Sequence, residues 1–180
     1  MKSVQSKIFT VLFLVSASMN FALGRIVMKA RARPPASAVP ARTVMPALRV
    51  VDHSSSQSVT IVYTDVPVPT VVYLFSPHCK FCRQNAKNMS SLVSQVAGKY
   101  RIIGVSLATD GLDEFIGETM IKFPVYTNLD PKVATAYKAG ATPQTFVVGH
   151  DGRLLSMWTG EYVGTTRKSV ESFFGVRFPG

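Results

Sequence analysis

The sequence predicts an α/β fold in which helices flank one central mixed β-sheet. First, an apolar run at 71–75 is followed by a helix-like segment and then by a second apolar run at 101–107. A strand–helix–strand unit of this kind implies two parallel strands joined by a right-handed crossover. Second, two strand-like runs flank the turn residues at 150–152, which is a hairpin signal and adds antiparallel strands. Third, hydrophobic residues make up 47% of the chain, which is ample for a core.

The first elements of the predicted domain form a β-hairpin. Residues 47–51 and 59–63 are rich in apolar and β-branched side chains, and a polar stretch at 52–58 separates them as a turn. This hairpin is an N-terminal extension of the central sheet. The run at 71–75 has no alternation of polar and apolar residues, which is typical of a strand buried on both faces.

The segment after this strand has the pattern of an amphipathic helix that ends near Gly98. Apolar positions recur every three or four residues, and they are Cys82, Ala86, Met89, Leu92, Val93 and Val96. A strand at 101–107 follows. Asp110 is then predicted to cap a short helix that contains Phe115 and Ile116.

The last part of the chain predicts two helices and a hairpin. Asp130 is a capping residue and Pro131 a first-turn proline, so a helix begins there and stops at Gly140. The two strands of the hairpin and the final helix follow at 144–148, 154–158 and 166–174.

The positive charge of the chain is concentrated at its N-terminal end. The formal net charge is +10, but residues 1–50 carry eight Lys or Arg and no acidic residue. Residues 51–180 carry twelve basic and ten acidic residues, which leaves a net charge of +2. No zinc-finger spacing or aromatic–basic motif accompanies the charge, so we predict no nucleic-acid partner. Basic residues beside an apolar segment instead favour contact with anionic lipid headgroups.

The first 24 residues have the features of a membrane anchor or of a cleavable signal peptide. Lys2 and Lys7 precede the uncharged run 8–24, whose 17 residues span about 25 Å as a helix. That length is slightly short for a bilayer core. A basic start with small residues at 16 and 18 also suits a signal peptide. We favour an uncleaved anchor at 1–24, through which the protein contacts the membrane.

The charges around this run give conflicting predictions of its orientation. Four basic residues at 25–33 outnumber those before the run, which by the positive-inside rule favours a cytoplasmic domain. Short N-terminal apolar segments of this shape usually direct export, and we give this pattern more weight. The prediction is a domain at 47–180 on the periplasmic or other extracytoplasmic face of the membrane. A basic linker rich in Ala and Pro, at 25–46, would hold the domain off the membrane.

The only two cysteines of the chain are Cys79 and Cys82, with Lys80 and Phe81 between them. They lie where the strand at 71–75 passes into a helix, so their sulfurs can form a disulfide within one helical turn. A disulfide that closes so short a loop removes little conformational entropy from the unfolded chain. It would therefore stabilise the fold only slightly, which argues against a purely structural role. The spacing therefore predicts a disulfide that opens and closes reversibly.

The two thiols have different predicted roles. Cys79 lies at the helix N-terminus, where free backbone N–H groups and the helix dipole stabilise a thiolate. Lys80 adds positive charge, as does His78 when it is protonated. Cys82 lies one turn further along, on the apolar face of the helix. Cys79 is therefore predicted to be the attacking thiol and Cys82 the resolving thiol.

A metal site is an alternative use of the same two thiols. Zinc requires about four ligands, and His53, His78 and His150 are the only histidines that could complete the set. Soft thiolates suit a two-coordinate copper(I) ion, so a copper(I) chaperone stays open as an alternative. The redox interpretation requires no metal and no cofactor.

Five motifs occur together between about residues 70 and 160. They are Phe-Ser-Pro-His-Cys-Lys-Phe-Cys at 75–82, Phe-Pro-Val-Tyr at 123–126, Ala-Tyr-Lys-Ala-Gly-Ala-Thr-Pro-Gln-Thr-Phe-Val-Val at 136–148, Asp151-Gly152, and Gly160. In combination they resemble the thioredoxin fold, and most closely the membrane-tethered, exported TlpA/ResA-like branch of the thiol:disulfide oxidoreductases.

The resemblance implies a thioredoxin-like domain that exchanges disulfides with protein substrates, with an upstream thiol as electron donor. It implies that the peptide bond before Pro143 is cis and that this proline faces the disulfide. It also implies that the Thr142 backbone pairs with a bound substrate chain as an added strand. The apolar surface around Phe81 and Pro143 would be the docking patch, with His78 as a further substrate contact. The family favours a reductase.

Three positions depart from the family pattern. His78 stands where the family usually has Trp, Tyr73 where thioredoxins have a buried Asp, and Asn85 where TlpA/ResA-like members often have Glu. No familiar carboxylate is therefore present to take the Cys82 proton, and the rate and direction of exchange stay open. A peroxidase of the related peroxiredoxin class is a further alternative, although Ser76 replaces the Thr usual in that class.

Overall fold

The structure is a computed structural model that describes Ser16 and residues 39–179. The folded unit begins at Val39. Apart from Ser16, the predicted anchor at 1–24 lies outside the described residues, as does most of the predicted linker at 25–46. In the described part of the chain, no helix has the length and apolar character needed to span a bilayer.

One seven-stranded mixed sheet forms the centre of the folded unit, as predicted. Its strands are Leu48–Asp52 (β1), Ser58–Ile61 (β2), Thr70–Phe75 (β3), Arg101–Ser106 (β4), Val125–Thr127 (β5), Gln144–Val148 (β6) and Leu154–Thr159 (β7). They lie in the order β2-β1-β5-β4-β3-β6-β7. β4 is parallel to both β3 and β5, whereas the other neighbours are antiparallel. The predicted N-terminal hairpin is confirmed as an extension at one edge, and β6–β7 forms the other.

The N-terminal hairpin joins the sheet through β5, a strand that the sequence pattern does not predict. Val51 of β1 pairs with Thr127, while Val105 of β4 pairs with Tyr126. Three residues are too few to show an alternation of polar and apolar side chains, so the strand is recognisable only from its neighbours.

Four helices flank the sheet in the described part of the chain: Lys80–Gln95 (α1), Leu112–Thr119 (α2), Pro131–Ala136 (α3) and Gly164–Phe174 (α4). The predicted cap of α3 is confirmed, because Asp130 Oδ1 accepts hydrogen bonds from the N–H groups of Lys132 at 2.8 Å and Val133 at 3.2 Å. The predicted cap of α2 by Asp110 is wrong. Gly111 precedes α2 with a φ of 68°, and no side chain caps the helix. Glycine adopts this left-handed conformation without the steric cost of a Cβ.

The central strand β3 packs against apolar clusters on both faces of the sheet. Side chains alternate along a strand, so Val72 and Leu74 enter one cluster while Tyr73 and Phe75 enter the other. The first cluster includes Val133 of α3. The second contains buried residues of α1, α2 and α4. All six residues of β3 are buried, which confirms a strand covered on both faces.

The register of β3 with its neighbours positions the cysteines. Leu74 pairs with Gln144, the first residue of β6, because the two strands are antiparallel. The end of β3 therefore lies beside the start of β6. Cys79 follows the end of β3 and Pro143 precedes β6. Both segments therefore lie at the same end of these two neighbouring strands.

Residues before the predicted domain boundary at 47 also pack on the folded unit. The N–H groups of Arg42 and Met45 donate to the carbonyls of Leu154 and Gly152 at 2.9 and 2.8 Å. Val39 and Met45 are buried in the same apolar cluster as Leu154. The part of the predicted linker that the structure describes therefore runs along the sheet edge.

We predict that Gly104→Ala lowers the free energy of unfolding by about 1–3 kcal/mol, the usual cost of overpacking. A Cβ at this β4 position would lie 2.6 Å from Cε2 of Phe123 and 3.1 Å from Cε1 of Phe75. Both rings would have to move to accommodate it. Urea unfolding followed by circular dichroism measures the change.

Gly117→Ala is the matched control for this substitution. Gly117 lies in α2, and apart from its chain neighbours and the backbone of its own helix no atom lies within 4 Å of a Cβ placed there. Alanine favours a helix over glycine by up to about 1 kcal/mol, so this variant should be slightly more stable than the wild type. A Gly104→Ala variant as stable as the wild type would contradict the placement of the Phe123 ring over β4.

Candidate active site

Cys79 is the N-cap residue of α1, at the end of a short turn after β3. Its backbone is extended, with a φ of −86° and a ψ of 113°. Its N–H group donates to the Ser76 carbonyl at 3.1 Å, and its carbonyl accepts from the N–H groups of Cys82 and Arg83 at 3.1 and 3.2 Å. The sequence folds this way because Ser76 and Pro77 end the strand and leave Cys79 at the helix start, as predicted.

The two cysteines are free thiols with different exposure. Cys79 is partly exposed, whereas Cys82 is 1% exposed and packs in the same apolar cluster as Met89 and Leu92. Cys82 lies one turn into α1, on the helix face that covers the sheet. Only Cys79 is therefore accessible to a large partner.

The loop before β6 brings Thr142 and Pro143 to Cys79. The Cys79 thiol donates to the Thr142 carbonyl oxygen at 3.2 Å, and the Thr142–Pro143 peptide bond is cis, as the family resemblance implies. The N–H group of Gly160 donates to the Pro143 carbonyl at 2.8 Å, which ties the loop to the end of β7. Four predicted site residues, Cys79, Cys82, Thr142 and Pro143, are thus neighbours.

Hydrogen bonds set the acidity of Cys79. Burial of the thiol opposes ionisation, but hydrogen bonds with the Thr142 side chain, with the Cys82 thiol and with the backbone N–H groups of Cys82 and Phe81 outweigh it. They hold the pKa of Cys79 below its ordinary value. Thiolate is the reactive form of a cysteine, so these contacts favour Cys79 as the nucleophile.

The pKa of Cys82 is shifted in the opposite direction to that of Cys79. Burial is the main cause that raises the pKa of Cys82 to about 12, and the hydrogen bond with Cys79 and the charge of that group act in the same direction. A backbone hydrogen bond at Ser76 acts in the other direction but does not compensate. Cys82 therefore stays protonated at neutral pH while its neighbour can ionise.

His78 and Phe81 lie on the exposed side of the cysteine turn. The His78 imidazole is exposed, and its Nε2 lies 3.5 Å from Asp110 Oδ2. Phe81 is 54% exposed, although its side chain is large and apolar. Pro143, in contrast, is buried and Thr142 is half-buried. Phe81 and Thr142 are therefore accessible to solvent near the start of α1 and the loop before β6, whereas Pro143 is covered.

A set of buried polar residues that the sequence interpretation missed lies on the sheet side of α1. Asn85 and Asn88 are both buried in this helix, and they bond to Tyr73 and to Tyr162. The Tyr162 hydroxyl lies 2.6 Å from Thr145 Oγ1. The signal in the sequence is two asparagines three residues apart on the apolar face of a helix, where polar side chains need partners.

Gln144 is a further buried polar residue next to the cis-proline. It is 0% exposed, and in the described part of the chain neither its Oε1 nor its Nε2 has a hydrogen-bond partner. Across residues 39–179, no cluster of three or more His, Cys, Asp or Glu side chains is arranged to hold a metal ion.

We predict that iodoacetamide alkylates Cys79 at least about tenfold faster than Cys82 in the folded, reduced protein at pH 7. The reason is the larger thiolate fraction and greater exposure of Cys79. The Cys79 rate should level off at a pH below the ordinary cysteine range, because its pKa is lowered. Trypsin cleaves after Lys80, so mass spectrometry counts the two thiols on separate peptides.

The control is the same reaction in denaturant, where the two rates should become similar. Cys79→Ser and Cys82→Ser variants give each thiol's rate alone. Equal rates in the folded protein, or faster alkylation of Cys82, would contradict the assignment.

Three solved structures with a similar fold are named for disulfide exchange. One from Chlorobium tepidum, described as the thiol:disulfide interchange protein DsbE, has a TM-score of 0.63 and 16% identity, covering 75% of this chain and 95% of that chain. The thioredoxin domain of a thiol-disulfide oxidoreductase from Bacteroides vulgatus has a TM-score of 0.61 and 19% identity, covering 76% and 99%. A secreted disulfide oxidoreductase of Mycobacterium tuberculosis has a TM-score of 0.56 and 14% identity, covering 70% and 93%.

These likenesses confirm the predicted thioredoxin-like fold. No curated protein sequence matches the chain. The sequence profile of the AhpC/TSA family matches residues 42–157, which is more than half of the 180 residues. The chain therefore belongs to the AhpC/TSA family, with a thioredoxin-like fold.

Proposed function

We propose that this protein is a thiol:disulfide oxidoreductase that exchanges disulfides with protein substrates through Cys79 and Cys82. The observation that carries the proposal is the opposed acidity of the two thiols. The pKa of Cys79 is lowered at an accessible helix start, while burial raises the pKa of Cys82 to about 12. An accessible thiolate beside a protected thiol is the arrangement that two-step disulfide exchange requires.

The exchange proceeds in two displacement steps. The Cys79 thiolate attacks one sulfur of a substrate disulfide, a new S–S bond forms, and the other substrate sulfur leaves as a thiolate that takes up a proton. Cys82 then loses its proton and attacks the Cys79 sulfur. The Cys79–Cys82 disulfide forms and the second substrate thiol leaves. Two electrons pass from the cysteine pair to the substrate, and an upstream thiol donor restores the dithiol.

The cis-proline loop is proposed to align the substrate. The Thr142 carbonyl lies 3.2 Å from the Cys79 sulfur, so an extended chain bonded to the Thr142 backbone would place its own sulfur beside Cys79. The exposed Phe81 side chain supplies apolar contact area for the substrate near Cys79, and the exposed His78 side chain supplies a polar contact. Backbone pairing makes recognition tolerant of sequence, which suits an enzyme with protein substrates.

We further propose that the enzyme is a reductase outside the cytoplasm, tethered through residues 1–24 and spaced from the membrane by the basic linker. The supports are the uncharged N-terminal run and the fold shared with a secreted disulfide oxidoreductase of Mycobacterium tuberculosis. The same run as a cleaved signal peptide would release the domain on the same side.

The test uses insulin as substrate in two assays: the mixed disulfide is trapped with reduced protein from which dithiothreitol has been removed, and insulin reduction is measured separately with dithiothreitol as donor. Cys82→Ser should accumulate a species in which Cys79 is linked to an insulin chain, because the resolving thiol is absent. Cys79→Ser should form no such species, and its insulin reduction should fall to the uncatalysed rate. Serine is nearly isosteric with cysteine, so each variant is the structural control for the other. Non-reducing electrophoresis and mass spectrometry detect the adduct.

Unchanged insulin reduction by Cys79→Ser would show that the proposed function is wrong. Negligible reduction by the wild type, with a 1:1 copper(I) complex that resists chelators, would favour the copper(I) chaperone. Turnover driven by peroxide would favour the peroxidase.

A further inference from the structure

Five buried polar side chains form a hydrogen-bonded cluster on the sheet side of the cysteine helix. These residues, called the buried network below, are Tyr73, Asn85, Asn88, Thr145 and Tyr162. Burial raises the pKa of both tyrosines well above the ordinary value, so the network carries no charge at neutral pH. A buried polar cluster is costly unless its members are paired, so its hydrogen bonds constrain the elements that carry them.

Asn85 connects the helix part of the network. Its Oδ1 accepts hydrogen bonds from the Tyr162 backbone N–H at 3.0 Å and from Asn88 Nδ2 at 3.1 Å, and its Nδ2 lies 3.5 Å from the Tyr73 hydroxyl. Asn85 lies three residues after Cys82 in α1, a spacing that places both side chains on one helix face. Fixing Asn85 therefore fixes the turn of α1 that carries Cys82.

Tyr162 connects this turn to the cis-proline strand. Its hydroxyl lies 2.6 Å from Oγ1 of Thr145, two residues after Pro143 in β6. The neighbouring Gly160 donates its N–H to the Pro143 carbonyl at 2.8 Å. The network therefore connects α1, which carries Cys82, with β6, the strand that follows the proposed substrate-pairing residue Thr142.

We propose, on the basis of the function proposed above, that Asn85, Tyr162 and Thr145 are positioning residues for the resolving step. In that step Cys82 attacks the Cys79 sulfur of the mixed disulfide, and the S–S bond to the substrate breaks. The substrate sulfur takes the electron pair and a proton, and Cys82 gives up its own proton. The bound substrate would lie beside β6, whereas Cys82 is carried by α1. The alignment of the Cys82 sulfur with the mixed disulfide therefore depends on how β6 and α1 are held together.

The first step does not depend on the network in the same way. The Cys79 sulfur is held by the N–H groups at the start of α1 and by Thr142. None of these contacts involves a network residue. A weakened network should therefore slow resolution while leaving the attack on substrate unchanged.

Thr145→Val is the test, with Thr145→Ser as its matched control. Valine keeps the shape of threonine and removes the hydroxyl that bonds to Tyr162, whereas serine keeps the hydroxyl. The probe is a disulfide-linked peptide dimer with two self-quenching fluorophores, mixed with reduced protein in a single turnover. Dequenching reports the attack by Cys79, and the fall in anisotropy as the second peptide leaves reports resolution.

We expect Thr145→Val to slow resolution about tenfold, because a displacement of the reacting atoms by a fraction of an ångström lowers a reaction rate by about this factor. Its attack rate should stay within about twofold of wild type, and Thr145→Ser should match wild type in both steps. Tyr162→Phe removes the same hydrogen bond from the other side, so it should give the same slowing. The double variant should be no slower than either single variant.

Wild-type resolution rates in both Thr145→Val and Tyr162→Phe would overturn the proposal, as would slowing that multiplies in the double variant. Thermal unfolding identifies a variant that has lost its fold. The other single variant then tests the proposal alone, because each substitution removes the same hydrogen bond between Thr145 and Tyr162. A wild-type protein that shows no dequenching would refute the proposed exchange function itself rather than the role of the network.

Discussion

The antiparallel pairing of β3 with β6 joins two segments that lie 63 residues apart and so creates the site. Five residue pairs hold the register, from Thr70 with Val148 to Leu74 with Gln144. A slip of one residue would move Thr145 to the opposite face of the sheet and exchange its buried surroundings for those of Gln144. The observed register places the cis-proline loop beside Cys79.

One turn of helix gives the two thiols opposite properties. Cys79 ends an extended turn and faces the unpaired N–H groups of the helix start, while Cys82 lies under α1 among apolar side chains. Backbone donors favour ionisation of the first thiol, and burial disfavours it in the second. One turn further along α1 the buried side chains are polar but uncharged, since Asn85 bonds to the Tyr73 hydroxyl there. The helix thus exposes one thiol and covers the other, and the uncharged residues Tyr73 and Asn85 stand at the positions where the family pattern has carboxylates.

The sequence predicts the features of this fold that arise from local patterns, and it fails where distant segments meet. The apolar run of β3, the periodicity of α1 and the Asp130-Pro131 cap are local, and each is confirmed. β5 is too short to show a period, and the failed cap at Asp110 reflects a glycine turn that places the helix start one residue later. The cysteine spacing marks the site, but the bonds of Asn85 with Tyr162 and of Tyr162 with Thr145 join residues 77 and 17 positions apart, so only the folded chain reveals them.

The central claim is that Cys79 and Cys82 form one reversible two-electron couple. A redox titration in dithiothreitol and glutathione buffers, with the free thiols counted by mass spectrometry, tests it most directly. We expect both thiols to disappear together in one transition, with an intramolecular disulfide and a reduction potential between about −270 and −120 mV. A value near the lower limit would agree with a reductase. Thiols that stay free across this range, or that form disulfides only between molecules, would contradict the claim.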